Sequence, residues 1–268
     1  MKSREIMIYF AIIHKGNWEE IYQALTLKEE FEEEKAKKVV ANMNSKAVTI
    51  LDDDYPQQLK FIQRPPFVLF YHGDLSIIKD KLKAVSVVGS RDYSPYGLKV
   101  TNYFVKHLCK ELVIVSGMAR GIDGIAHRAC IENGGKTVAV LGCGINVCYP
   151  PDNLDIYDEI KKHHLLISEY PNLTPPCPLC FPIRNRIIAA LSNCLLVTEG
   201  ERNSGTSITA RLTLDDGGNV CCVPTEIGRN SVCNHLIANG AALVETPEDV
   251  YYEMDYHKKE AAFQKSEN

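Results

Sequence analysis

The stretch Ala84-Val-Ser-Val-Val-Gly-Ser-Arg91 decides the fold. Its first five residues form a short, mostly apolar run without alternation, and a glycine, a hydroxyl and an arginine follow at once. Such a run is a strand buried on both faces, as in a parallel sheet covered by helices on each side. The unit recurs downstream. Strands are expected at Leu112–Ser116, Thr137–Leu141, Leu165–Ser168, Cys194–Thr198, Asn219–Val223 and Ala242–Val244. Amphipathic helices fit between them at Tyr96–Lys110, Gly121–Asn133, Leu154–His163, Pro182–Leu191, Ser204–Asp216 and Val232–Asn239. Strand and helix alternating at this spacing predict an α/β fold with an open, mostly parallel sheet wound on both sides.

Upstream, residues 1–45 read as a small helical segment of two or three short helices. Asn17 is placed to cap one that starts at Trp18, and Thr26 another that runs through the acidic stretch Glu29–Glu34. Residues 46–82 read as a connector, broken by Tyr55-Pro56 and Arg64-Pro65-Pro66. It leads into a strand-like Phe67–Tyr71 and a turn at Gly73-Asp74. The α/β domain is expected over 46–255, with a polar, frayed tail at 256–268.

With 268 residues, 45% of them hydrophobic, the chain can bury a full core. No apolar run reaches the ~18 residues of a membrane helix. The apolar stretch Ile6–Ile13 is short and lacks a cleavage site, so no membrane association and a cytoplasmic location are expected. A net charge of −4 does not attract polyanions as a whole, so nucleic-acid binding would need a local basic patch or backbone amides. Ten cysteines in such a chain read mostly as reduced, small apolar residues, with Cys109, Cys194, Cys221 and Cys222 in or beside apolar runs. Cys177-Pro-Leu-Cys180 has the spacing of a zinc hook or a redox pair. The nearest second pair, Cys143 and Cys148, lacks hook spacing, so packing is the favoured reading and no metal is assigned.

Ligands of open α/β sheets bind beyond the C-terminal ends of the strands. Four exits there are rich in glycine with a hydroxyl or arginine nearby: Gly89-Ser90-Arg91; Ser116-Gly117-Met118-Ala119-Arg120-Gly121; Gly142-Cys143-Gly144; and Glu199 through Ser204-Gly205-Thr206. Glycine permits close approach of a ligand, helix-start amides meet anionic oxygens, and Arg91 offers a bidentate fork. Together they point to a phosphate-rich ligand. No Gly-Lys-Ser/Thr loop and no third glycine after Gly142-Cys143-Gly144 appear, so conventional NTPase and dinucleotide readings fail and no cofactor is assigned. Asp123 and His127, four apart, could orient each other, but Asp123 bracing its loop with His127 packed behind is the simpler reading. Glu199 is a general-base candidate without a nucleophile partner. Finally, Phe181-Pro-Ile-Arg-Asn-Arg186 predicts a helix start with Arg184, Asn185 and Arg186 on its first turn and Ile183, Ile187, Ile188 and Leu191 facing the core. Cations at a helix N-terminus oppose its dipole, so anion contact, or an ion pair with Glu169 or Glu199, is expected there.

These pieces, in this order, resemble the DprA/Smf family of DNA-processing proteins. The resemblance rests on Val88-Gly-Ser-Arg91, Ser116-Gly-Met-Ala-Arg-Gly-Ile-Asp123, Thr137-Val-Ala-Val-Leu-Gly142, Gly144-Ile-Asn146 with Tyr149-Pro150, Ser168-Glu-Tyr-Pro171, Phe181-Pro-Ile-Arg-Asn-Arg186, Ser204-Gly-Thr-Ser207 and Asn234-His-Leu-Ile237. Departures fall at loop positions: Met118 stands where a glycine is usual, as do Thr225 and Val232. The resemblance implies an extended Rossmann-like domain that binds single-stranded DNA, works as a homodimer, and helps load a RecA-type recombinase during DNA uptake. No catalysis is implied. Arg91 then becomes the principal phosphate contact, with the glycine loops and Arg184–Arg186 lining the same groove. Two rival readings rest on residues too. One is a nucleotide sensor or nucleotide-cleaving enzyme using Ser204-Gly205-Thr206 and Glu199. The other is a zinc or redox role for Cys177 and Cys180.

Overall fold

The structure, a computed structural model, describes residues 1–227 and 230–254. The polar tail expected at 256–268 lies outside the described residues.

Three helices open the chain: α1 (Ser3–Ile13), α2 (Trp18–Thr26) and α3 (Glu33–Ala41). The apolar stretch considered as a leader lies within α1, where Met7 through Ala11 are buried. Asn17 caps α2 as expected, its side chain accepting from the amides of Glu19 and Glu20. Thr26 does not cap the next helix; it is the last residue of α2. Lys28 adopts φ +52 and the Glu29 amide closes back on Ala24 O at 2.9 Å, so the chain leaves the helix before the acidic run.

The connector contains more structure than its prolines suggest. β1 (Lys46–Thr49) pairs antiparallel with β2 (Val68–Gly73), and β2 pairs antiparallel with β6 (Leu165–Ser168). The parallel part consists of β3 (Ala84–Gly89), β4 (Val113–Ser116), β5 (Thr137–Leu141), β6, β7 (Cys194–Glu199), β8 (Asn219–Cys222) and β9 (Ala242–Leu243). The strand order is β1-β2-β6-β5-β4-β3-β7-β8-β9. From β3 the chain winds outward to β6, then returns to β7 on the other side of β3. That reversal opens a crevice beyond the ends of β3 and β7.

Successive residues of each central strand face opposite layers. Val85 and Val87 pack with α4 (Pro95–Leu108) and α5 (Ile122–Glu132), while Ala84 and Val88 pack with α7 (Cys180–Ala190) and α8 (Gly205–Asp215). Both faces are therefore dry, which explains why these strands do not alternate in sequence. Ser86, the polar residue in that run, donates to Ile188 O at 2.8 Å and so satisfies a carbonyl near the end of α7. The N-terminal helices and α6 (Leu154–His163) cover the β1-β2-β6-β5 half, around Phe70, Leu141, Leu166 and Ile156.

Candidate nucleic-acid interface

At the crevice, the strand exits are tied to one another. The Ser90 amide donates to Glu199 O at 2.9 Å, and Ser90 O accepts from the Ile122 amide at 3.0 Å. Thr206 Oγ1 donates to Gly89 O at 3.1 Å. Gly121 makes this closure possible: its φ is +77, and a Cβ there would lie 2.2 Å from Ser90 O. The loops after β3 and β7 and the starts of α5 and α8 thus form one rigid rim.

Beside that rim runs a groove of about 550 Å³, bordered by Ser90, Arg91, Asn185, Gly205, Thr206 and Phe181. Arg91 is exposed, and its guanidinium lies over the Phe181 ring, 5.9 Å from the centroid. Phe181 in turn stacks on Tyr149, with centroids 5.5 Å apart and an interplanar angle of 26°. Among the described residues Arg91 makes no ion pair, so its N–H groups remain available to an anion. The hydroxyls are more committed. Ser90 Oγ donates to Asp92 O, Ser204 Oγ to Glu201 O, and the fully buried Ser116 Oγ to Val87 O. The groove's donors are then Arg91 and the first-turn amides of α8 at Gly205 and Thr206, which lie too early in the helix for intrahelical acceptors.

The arginines of α7 point elsewhere. The helix starts at Cys180, two residues before the expected position, so Arg184, Asn185 and Arg186 belong to its second turn and not its first. Ile183 is 44% exposed instead of facing the core, while Ile187, Ile188 and Leu191 are buried as expected. Arg184, only 4% exposed, borders the groove with its guanidinium pinned. Nη1 donates to Gly117 O at 2.5 Å and to Val140 O, and Nε to Asn185 Oδ1 at 3.2 Å. Asp123 stands beside it, its Oδ2 accepting from the amides of Gly117 and Ala119 at 3.2 and 3.3 Å. Burial lowers the pKa of Arg184 and raises that of Asp123, and in each case the charge of the other opposes the shift. Arg186 Nη2 pairs with Glu169 Oε1 at 2.5 Å in a buried ion pair, the alternative to anion contact named by the sequence. Asn185 reaches toward the groove, its Nδ2 donating to Gly205 O at 3.3 Å.

The other expected residues lie outside the groove lining. Gly142 carries the Phe181 ring so closely that a Cβ would sit 2.6 Å from Phe181 Cδ1. The Gly144 amide donates to Thr174 O at 2.8 Å. Arg120 pairs with Asp152 at 2.8 Å on the surface. Met118, the residue in place of a glycine, is fully buried at φ +59, in the left-handed region glycine favours.

Known proteins share this arrangement of strands and loops. The sequence model of DNA recombination-mediator protein A matches residues 46–255. The chain is 43% identical over 210 residues to the DNA processing protein DprA of Streptococcus pneumoniae, covering 78% of this chain and 74% of that one. The chain belongs to the DNA recombination-mediator protein A family. It is also 38% identical to DprA of Bacillus subtilis over 87% of this chain and 80% of that one. The solved structure of the S. pneumoniae DprA superposes with a TM-score of 0.78 at 39% identity, over 88% of this chain and 80% of that one. A Helicobacter pylori DprA structure, described for its single-stranded DNA binding mode, gives a TM-score of 0.71 at 26% identity, over 81% and 98%.

Within this DprA-type scaffold, Glu199 holds Ser94, the residue that caps α4. Its Oε2 accepts from the Ser94 amide at 2.9 Å, at the start of α4. A second cavity of about 690 Å³ lies on that side, lined by Asp92, Glu199, Glu201 and Tyr96 among others, and is acidic. Asp123 braces its loop, in line with the simpler reading, and His127 bonds to Thr137 Oγ1 at 2.7 Å. Phe181 and Tyr149 are the groove residues that residue-type reasoning passes over. Each is an aromatic directly before a proline, Tyr149 after the glycine-rich exit of β5 and Phe181 after the proline-rich segment that follows β6, and that placement is the available signal.

Proposed function

We propose that this chain binds single-stranded DNA in the groove between the β3 exit and the start of α8, without catalysing a reaction on it. The observation that carries the reading is the unpaired Arg91 guanidinium stacked on Phe181, next to the open first-turn amides of α8. Arg91 and the amides suit phosphate oxygens, and the Phe181–Tyr149 pair offers a ring face to an unstacked base. A duplex keeps its bases stacked inside and cannot use that face, so single strands are preferred. The net charge of −4 makes this local constellation necessary. The remaining residues of the region act on the site's shape. Ser90, Ser204 and Thr206 shape the rim, Arg184 borders the groove with its guanidinium pinned, and Arg186 braces α7 through Glu169. Protection of single strands and delivery to a RecA-type recombinase, by a homodimer in the cytoplasm, extend the reading; the family's description as a recombination mediator supports the role in recombination. The nucleotide-cleaving alternative is weaker, because Glu199 is engaged in holding Ser94 at the start of α4. Titration of labelled single- and double-stranded oligonucleotides at rising salt tests the reading. Single strands should bind more tightly, with affinity falling as salt rises.

A further inference from the structure

The ten cysteines fall into two populations. Seven are buried: Cys109, Cys130, Cys143, Cys194, Cys221, Cys222 and Cys233. Cys194 and Cys221, with sulfurs 3.3 Å apart on neighbouring strands, show no exposure at all. Cys148 is partly exposed, but its thiol donates to Pro150 O and burial pushes its pKa up to about 11. Cys177 and Cys180 differ from these.

They bracket a tight turn closed by the Cys180 amide on Cys177 O at 2.9 Å. Both are partly exposed, and Leu179 between them is 74% exposed. The Cys177 thiol is held below its ordinary pKa, chiefly by the Leu179 amide and then by the Cys180 side chain. Cys180 is the first residue of α7. Among the described residues no group of three or more His, Cys, Asp or Glu is placed to hold a metal, so the pair has no further ligands. An accessible attacking sulfur with a second thiol one turn away is the arrangement thiol–disulfide exchange requires.

We propose that Cys177 and Cys180 form a redox-active dithiol that exchanges with low-molecular-weight disulfides. The Cys177 thiolate attacks one sulfur of RSSR, forming a Cys177–SR mixed disulfide and releasing RS⁻, which takes up the proton lost from Cys177. Cys180 then attacks Cys177 Sγ, closing the intramolecular disulfide and releasing the second RSH. The protein loses two electrons and two protons, and RSSR becomes two RSH. Because Phe181 follows Cys180 directly and Pro178 borders the groove, the disulfide forms at the groove's aromatic lip.

The test uses the folded full chain with oxidised glutathione, followed by alkylation and peptide mass mapping. Wild type is expected to lose two mass units in the peptide spanning residues 177–180 and to carry no stable glutathione adduct. The variant Cys180→Ser is expected to retain one glutathione on Cys177, and Cys177→Ser to react at least tenfold more slowly. Modification falling on a buried cysteine or elsewhere, a stable adduct on wild-type Cys177, or no adduct in Cys180→Ser would each overturn the proposal. The three proteins are compared for native unfolding midpoints, so that loss of folding cannot imitate loss of reactivity.

Discussion

The Arg91 guanidinium lies 5.9 Å from the centroid of the Phe181 ring, with Tyr149 stacked behind that ring. One residue comes from the β3 exit and the other from the first turn of α7, far apart in sequence. Their contact joins a cation and an aromatic face at one lip of the groove. Stacking of a base on an aromatic side chain contributes about 1–3 kcal/mol. Phe181→Ala is therefore expected to weaken single-strand binding by roughly five- to a hundredfold, and Phe181→Tyr to keep most of it. Fluorescence anisotropy with a labelled oligonucleotide checks this; equal affinity for Phe181→Ala would remove the stacking role.

Gly205 and Gly121 make a diagnostic pair. A Cβ at Gly205 meets nothing nearer than Asn185 Nδ2 at 3.8 Å, and the residue opens a helix. Gly205→Ala should leave stability unchanged or raise it by up to ~1 kcal/mol, since alanine loses less entropy on folding. Its methyl group nevertheless stands where a phosphate must approach the amides, so single-strand affinity should fall. Gly121→Ala, at φ +77 and against Ser90 O, should instead lose stability first, by about 1–3 kcal/mol. Urea unfolding combined with DNA titration separates the two behaviours.

The Arg186–Glu169 pair is structural in this account. Removing one partner leaves a buried charge, which costs about 3–5 kcal/mol. Glu169→Ala should therefore lower the urea midpoint sharply, and Arg186→Met combined with Glu169→Leu should recover much of the loss. If Glu169→Ala unfolded at the wild-type midpoint, Arg186 would have to be regarded as a free groove cation.

His127 gives an acid-side stability effect. Thr137 Oγ1 donates to Ile114 O, so it accepts from His127 Nδ1–H, and among the described residues the buried Nε2 has no partner. Burial, with smaller contributions from the charges of His164 and Arg184, lowers the His127 pKa from 6.5 to about 3. Between those values the unfolded chain holds a proton that the native chain does not. The stability tied to this group is thus complete above pH 6.5 and declines as pH falls toward 3. From pH 7 to pH 5, wild type should lose about 2 kcal/mol more than His127→Gln does. Parallel urea titrations at the two pH values measure that difference.

The central strands are legible in sequence because burial on both faces leaves short apolar runs that end in glycine. β1 is not, because four residues starting with Lys46 carry no such signature and acquire their strand character by pairing with β2. The rim is legible for a related reason: Gly89, Ser90 and Arg91 stand at the end of β3, and Gly205 and Thr206 open the helix after β7. The direction of Arg184 and Arg186 is beyond sequence reasoning. Their partners, the carbonyls of Gly117 and Val140 and the carboxylate of Glu169, lie at the ends of three other strands and meet α7 only in the folded sheet. Phe181 and Tyr149 belong to recognisable motifs, yet their stacking beneath Arg91 depends on Gly142 leaving room for the ring.

The most direct measurement is the single-strand affinity of Arg91→Ala against wild type across a salt series. A charge-assisted hydrogen bond contributes about 1.5–3 kcal/mol, so the variant should bind at least tenfold more weakly on every sequence tested. The slope of log affinity against log salt should also become shallower by about 0.7 for each phosphate that Arg91 neutralises. Wild-type affinity with an unchanged slope in Arg91→Ala would contradict the assignment of this groove as the DNA site.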